Sequence, residues 1–345
     1  MPDARAILRE QPDDALVPGV RAMVRDCLRL GTADRFVLVA DEATRRIASA
    51  VLREVQAVGT PTEAFLLESR GGRPMRTLPR EIAFGLERAT ASLLACAPMP
   101  GEIGARIELV EIARDRKLRH AHAPGITERM VKEGLRASPD VLGLRNARVL
   151  ERVARAREVV FTSPQGTHLR MQMDRAMPWD SNAGVVRPGM FANLPAGQVS
   201  VLPGPTEGVY VADGSLSEWF GPRYGVLKDR PVTFTIEKSV VKDIACPDAA
   251  LAREVRSYLR GDPEGGRVGE IGLGTNPMVP DLIGLSLQDE LCATSHVAFG
   301  RPHPLASVKW TARTHLSCIA ASAEVVVDGE KILAGRKYAA WVDAD

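Results

Sequence analysis

The chain has 345 residues, is 45% hydrophobic and 26% charged, and carries a formal charge of +2. That length accommodates two domains, and the composition is that of an average soluble globular protein. The small charge, with no dense basic block interleaved with aromatics, excludes nucleic acid as an expected partner.

Residues 1–14, MPDARAILREQPDD, lack an apolar signal core, and no apolar run of about 18 residues occurs elsewhere. No membrane association is expected, and the expected location is cytoplasmic. Five cysteines, at positions 27, 96, 246, 292 and 318, form no close pair and no CxxC. That usage suits a reducing compartment and argues against a disulfide framework.

RFVLVADEATRRIASAVLREVQAVGTPTEAFLLE predicts a strand over 36–40 and then a helix. Ile47, Val51 and Val55 recur along that helix at four-residue spacing, and the Gly-Thr-Pro at 59–61 stops it. A second strand over 64–67 completes a β-α-β unit and favours a parallel sheet. A helix around 80–89 and a buried strand in ATASLLACAP follow. The basic run RDRKLRHAHAP, 114–124, reads as a solvated loop or helix end. ITERMVKEGLRASPD predicts a helix capped by Thr127.

No GxGxxG follows the first strand, where ADEATR stands, so a dinucleotide is not supported. GEIGLGTNP, 269–277, lacks the Lys-Ser/Thr of a phosphate-binding loop. Its glycines read as places for tight turns or close backbone packing.

From about Arg157 the pattern changes to short alternating strands and Gly/Pro turns: VVFTS, HLRMQM, VSVLP, GVYVAD, VTFTIEKS, EVVVDG. Helices over 248–259 and near 287–293 interrupt an otherwise antiparallel β-structure. The expected organisation is an α/β domain over 1–155, a parallel sheet with flanking helices, and a β-rich α+β domain over 156–345.

Polar residues concentrate in four segments of the second half: ANLPAGQVSVLP, GEIGLGTNP, DELCATSHVAFG and THLSC. They contain Gln198, Glu270, Glu290, His296 and His315. Two imidazoles and a carboxylate suit a divalent transition metal. On a strand, His315 and Ser317 point to one face. No HExxH is present, and spacing alone leaves His296 open as a structural histidine. It equally leaves Glu270 open as a turn residue and His315 as a partner of a backbone carbonyl. His168 and His303 read as surface or turn residues.

RPGMFANLPAGQVSVLP, GPTEGVYVADGSL, VGEIGLGTNP, DELCATSHVAFG and THLSC…EVVVDGEKIL, in that order, resemble the aminopeptidase T family of metallopeptidases. The resemblance extends more loosely over the first half. It implies an N-terminal α/β domain, a β-rich catalytic C-terminal domain and a homodimer. It also implies metal ligands at Glu270, His296 and His315, with Glu290 as general base.

Two positions depart from the family pattern. Gln198 stands where a metal-bridging Glu is expected, and Ser317 where the Asp of an H-x-D pair is expected; Leu291 also replaces a common Lys. Divalent cations about 3.5–4 Å apart need anionic ligands around them. The altered site is therefore expected to hold one ion per chain, zinc, iron(II), cobalt or manganese. Cys292 and Cys318 read as small buried apolar residues, with thiolate ligation as the other possibility.

The leading expectation is a metal-dependent hydrolase of an amide or peptide-like bond, acting on a small molecule or short peptide. Two alternatives stand beside it. One is a mononuclear non-haem iron(II) dioxygenase, since the fold is similar to that of 2,5-dihydroxypyridine dioxygenase. The other is a metal-free pseudoenzyme.

Overall fold

The structure, a computed structural model, describes residues 2–217 and 219–343. The chain separates into two compact units. One runs up to Val141 and includes Ala183–Ala196; the other comprises Leu142–Asn182 and the chain from Gly197 onward.

The first unit is built on a parallel sheet of β1 (Phe36–Ala40), β2 (Thr62–Leu66), β3 (Ala91–Ala95) and β4 (Arg119–His122). The second unit contributes β5 (Glu158–Thr162), β6 (His168–Gln172) and β7 (Asp180–Asn182) before β8 (Phe191–Asn193) joins the first sheet. Strand order is β2-β1-β3-β4-β8. The central strands β1 and β3 are buried along their whole length, as expected for a sheet covered on both faces. Val37 and Val39 pack against Ile82 and Leu86 of the helix Arg80–Glu87, and against Ala105 and Leu109 of the helix Ile103–Asp115. The helix Arg45–Val58 follows β1 and buries Ile47, Val51 and Val55, the apolar stripe the sequence displays.

The strand order reverses between β1 and β3, where an open α/β sheet commonly leaves a ligand crevice at its carboxyl end. Here protein groups occupy that position. Arg73, 7% exposed, donates to Asp41 Oδ2 at 2.6 Å, to Glu102 Oε2 at 2.6 Å and to the Ala97 carbonyl at 2.7 Å. Asp41 also accepts from the Ala97 and Thr44 N–H groups. Burial alone would raise the Glu102 carboxyl, but the Arg73 guanidinium holds it below its ordinary range.

The basic run 114–124 departs from expectation. Arg114 and Asp115 do end a helix, but the next residues enter the sheet as β4, with His120 fully buried and His122 nearly so. Hydrogen bonding makes this burial tolerable. Arg106 donates to His122 Nε2 at 3.4 Å, so the proton of His122 resides on Nδ1 and is donated to His120 Nε2 at 3.1 Å. His120 Nδ1–H in turn reaches Ser92 Oγ at 2.9 Å. Burial pushes His120 down to about 3 and His122 well below the ordinary histidine range.

The second unit continues with β9 (Gln198–Val201), β10 (Thr206–Ala212), β11 (Ser215–Leu216), β12 (Val232–Glu237) and β13 (Val240–Ala245). Then come β14 (Val268–Gly274), β15 (Ser295–Gly300), β16 (His315–Ile319), β17 (Glu324–Val327), β18 (Glu330–Ala334) and β19 (Lys337–Tyr338). They form an eight-stranded sheet, β13-β12-β10-β6-β5-β17-β18-β19, and a six-stranded sheet, β11-β16-β15-β14-β9-β7.

One core joins the two sheets. Phe161, Leu169, Tyr210 and Phe234 of the larger sheet share it with Val199, Ile271, Leu273, Val297, Phe299, Leu316 and Cys318 of the smaller. The Phe234 and Phe299 rings lie 4.9 Å apart. The Tyr210 hydroxyl spans the sheets, bonding to the Ser295 carbonyl at 3.0 Å and lying 3.1 Å from that of Cys318.

Candidate metal and catalytic site

Strand alternation creates the site. Side chains one residue apart point to opposite faces of a sheet. With Val199, Ile271, Leu273, Val297, Phe299, Leu316 and Cys318 committed to the core, their neighbours Gln198, Ser200, Glu270, His296, His315 and Ser317 fall on the other face. Cross-strand register brings them into rows. Glu270 pairs with Ala298, which pairs with Ser317; Gly272 pairs with both Ser200 and His296; Gly274 pairs with Gln198.

The centre of this face is an ion pair. His296 Nε2 lies 3.6 Å from Glu270 Oε1, the imidazole 2% and the carboxylate side chain 14% exposed. Burial would raise the Glu270 carboxyl, but adjacent His296 brings it down to about 2. Burial would likewise lower His296, yet Glu270 and the charge of Glu290 raise it above its ordinary value. Each group thus favours the charged form of the other.

Two glycines of GEIGLGTNP shape the floor by close approach. A Cβ on Gly272 would stand 2.2 Å from His296 Cε1 and 2.3 Å from Nε2, so the imidazole lies flat over this backbone. A Cβ on Gly274 would stand 2.0 Å from the Cys292 carbonyl oxygen and 2.6 Å from that of Glu290. The segment carrying Glu290 is thereby laid onto the same strand. The helix expected near 287–293 is a single turn, Ser286–Asp289, with Glu290 at its C-terminal end.

Among the described residues several buried polar atoms of this face have no hydrogen-bond partner: Gln198 Oε1, His296 Nδ1 and Ser317 Oγ. Such orphans cost about 1–3 kcal/mol each; three of them beside one ion pair mark a place built for something else to bind. His315 is exposed at the start of β16, opposite Gly300 and four residues along the register from His296. The structure thus brings Glu270 and His296 together and leaves His315 at the rim. Among the described residues no three His, Cys, Asp or Glu side chains gather into a metal-binding group.

The donor set fits one cation and not two. Glu270 supplies an anion, His296 a nitrogen, and Gln198 and Ser317 neutral oxygens, whereas two dications need more negative charge between them. Cys318 points into the core and burial pushes its thiol well above its ordinary value; Cys292 is raised by burial too. Cys318 is thus a buried apolar neighbour of the core, whereas Cys292, also buried, accepts from the Arg336 guanidinium. All five cysteines are free.

His303 departs from expectation. It is 3% exposed, and its Nε2 lies 3.1 Å from Ser200 Oγ, a residue whose place on this face sequence reasoning overlooked. Ser200 was legible as the same-face neighbour of Gln198; His303, in an irregular segment after β15, carried no periodic signal. His168 is exposed, as expected.

Over nearly its whole length this chain shares its fold with an aminopeptidase T and with a 2,5-dihydroxypyridine dioxygenase. The structure of 2,5-dihydroxypyridine dioxygenase from Pseudomonas putida superposes with a TM-score of 0.68 at 14% identity, covering 95% of this chain and 99% of that one. AmpT from Thermus thermophilus does so with a TM-score of 0.68 at 15% identity, covering 94% and 98%. A family-level sequence profile, NicX (2,5-dihydroxypyridine 5,6-dioxygenase), matches residues 132–290. No curated protein matches. No helix among the described residues is long and apolar enough to cross a membrane.

Proposed function

We propose that this chain is a metal-dependent enzyme that hydrolyses an amide or peptide-like bond in a small molecule or short peptide, using one divalent ion. The observation that carries the reading is the buried Glu270–His296 pair sharing a sheet face with orphaned Gln198 Oε1, His296 Nδ1 and Ser317 Oγ. Glu270 and His296 are the principal ligands, and His315 closes the set from the rim. Held by these residues, a divalent ion would supply Lewis-acid chemistry, polarising a carbonyl and lowering the pKa of water. Glu290, laid beside the site by Gly274, takes a proton from water and passes it to the leaving nitrogen. Gln198 and Ser317 fill their places as neutral oxygens and keep the site to one ion.

A second reading is an oxygenase acting on a ring substrate, and the family profile matching residues 132–290 favours it. Metal analysis of protein purified without chelator tests both. About one equivalent is expected, abolished in Glu270→Ala and weakened in His315→Ala. Glu290→Gln should keep the metal and lose about 10²–10⁴-fold in turnover, the usual worth of a positioned acid–base group. Oxygen uptake dependent on iron(II), without amide hydrolysis, replaces the first reading by the second. Protein with under about 0.1 equivalent of any transition metal, and no gain on soaking, retires both.

A further inference from the structure

We infer that Ser200 is the anchor for a substrate carbonyl oxygen, and that His303 is the positioning residue that fixes its hydroxyl as a donor. The inference rests on reading this sheet face as a substrate site and adds a specificity-determining residue to it.

His303 Nδ1 accepts the Leu305 N–H at 3.2 Å. A neutral imidazole whose Nδ1 is an acceptor carries its proton on Nε2. The 3.1 Å contact is therefore His303 Nε2–H donating to Ser200 Oγ. This polarity is the reverse of a serine nucleophile with its base, in which the imidazole takes the hydroxyl proton. Ser200 is thus no nucleophile. Its own O–H is left to donate, and among the described residues it donates to none.

Register decides where that donor lies. Ser200 and His296 flank Gly272 on neighbouring strands, about 4.8 Å to either side. Gly272 has no side chain, and the His296 ring leans across the vacant position. The Ser200 hydroxyl therefore borders the same small area as the Glu270–His296 pair and the orphaned Gln198 oxygen. Gln198 and Ser317 can turn to donate or accept, whereas the Ser200 oxygen is already engaged by His303 Nε2–H, which leaves its own proton to face a ligand. Such a preset donor suits an sp2 oxygen that gains charge during reaction. In the metal-free protein, the form titrated below, Glu270 disfavours an anion, so a neutral amide carbonyl fits better there than a carboxylate.

Benzamide and benzoate, matched in shape and different in charge, are suitable probes. Full-length 15N-labelled protein is titrated with each, followed by histidine side-chain NMR, with His296 and His303 signals assigned by substitution. The free protein should have His303 protonated at Nε2 and bare at Nδ1. Benzamide should bind saturably and more tightly than benzoate. Ser200→Ala and His303→Phe should each weaken benzamide at least tenfold, whereas Ser200→Thr and His303→Gln should stay within about threefold of wild type.

A proton on His303 Nδ1, absent saturable binding to the wild type, benzoate preferred over benzamide, or Ser200→Ala binding like wild type each overturns the inference. Protein that binds benzamide through Ser200 but takes up no metal and hydrolyses nothing retains the anchor and discards the hydrolase.

Discussion

The imidazole of His296 rests on the backbone of Gly272 so closely that no other residue can occupy position 272 without moving it. Gly272→Ala places a methyl group 2.2 Å from Cε1. The ring must swing away, and its contact with Glu270 goes with it. Overpacking of this kind costs about 1–3 kcal/mol. The expected result is a folded protein, lower in urea midpoint, with metal uptake reduced at least tenfold. Ala298→Gly, in the same row as Glu270 but under no ring, serves as the control. Unaltered metal uptake in Gly272→Ala would remove His296 from the ligand set.

The neutral side chains at 198 and 317 limit the charge of the site. Gln198→Glu with Ser317→Asp adds two carboxylates to a face on which Glu270 meets the His296 imidazole. The double variant should raise metal stoichiometry from about one toward two. Apo protein should be less stable than wild type, since the new carboxylates face Glu270 with no cation between them. Plasma mass spectrometry and a thermal melt with and without metal check both parts; a stoichiometry unchanged at one would show that charge does not set the limit.

His120 and His122 make stability depend on mild acid. Both are neutral in the fold, with His120 titrating only at about 3. In the unfolded chain a histidine takes up its proton near pH 6.5. Below that pH the unfolded state binds more protons, so stability falls as pH drops from about 6.5 toward 3. The slope is about 1.4 kcal/mol per pH unit for each imidazole. Urea unfolding at pH 7, 6 and 5 should give this decline, and His120→Gln with His122→Gln should flatten it. An equal slope in the double variant would place the acid sensitivity elsewhere.

Arg73 holds Asp41 and Glu102 together where all three are at most 7% exposed. Arg73→Ala leaves two buried carboxylates without their common partner, a change that typically costs about 3–5 kcal/mol. Glu102→Gln should cost less, because Arg73 keeps Asp41. The Glu102 carboxylate is held below its ordinary value, so its contribution is present above about pH 4.3 and is lost as pH falls through the lowered value. The stability gap between wild type and Glu102→Gln should therefore close in acid. Denaturant midpoints across pH 3–7 measure it.

Much of this was legible in the sequence where one local pattern decided the outcome. Phe36–Ala40 is a strand because five apolar residues precede a turn; Ile47, Val51 and Val55 make one buried face of a helix; Thr127 caps through its hydroxyl to the Met130 N–H at 3.3 Å. The common face of His315 and Ser317 followed from strand periodicity. What stayed hidden depended on distant partners. Charge made 114–124 look solvated, yet Ser92 and Arg106, lying before it in the chain, satisfy His120 and His122 in the sheet. His303 looked like a turn residue because the Ser200 hydroxyl that meets it lies 103 positions earlier. Likewise, that the glycines at 272 and 274 admit a ring and a backbone segment could be read only once the opposing strands were in place.

The smaller sheet of the second unit divides its labour by parity: alternate positions fill the core, and those between them form the polar face that carries Glu270 and His296. Selection can therefore rewrite one set while leaving the other untouched, since exchanging a carboxylate for an amide at position 198 or a hydroxyl at 317 disturbs no buried apolar neighbour. A scaffold so arranged can exchange one row of side chains while its core stays fixed. It also locates where new specificity can be engineered into this chain at least risk to its folding.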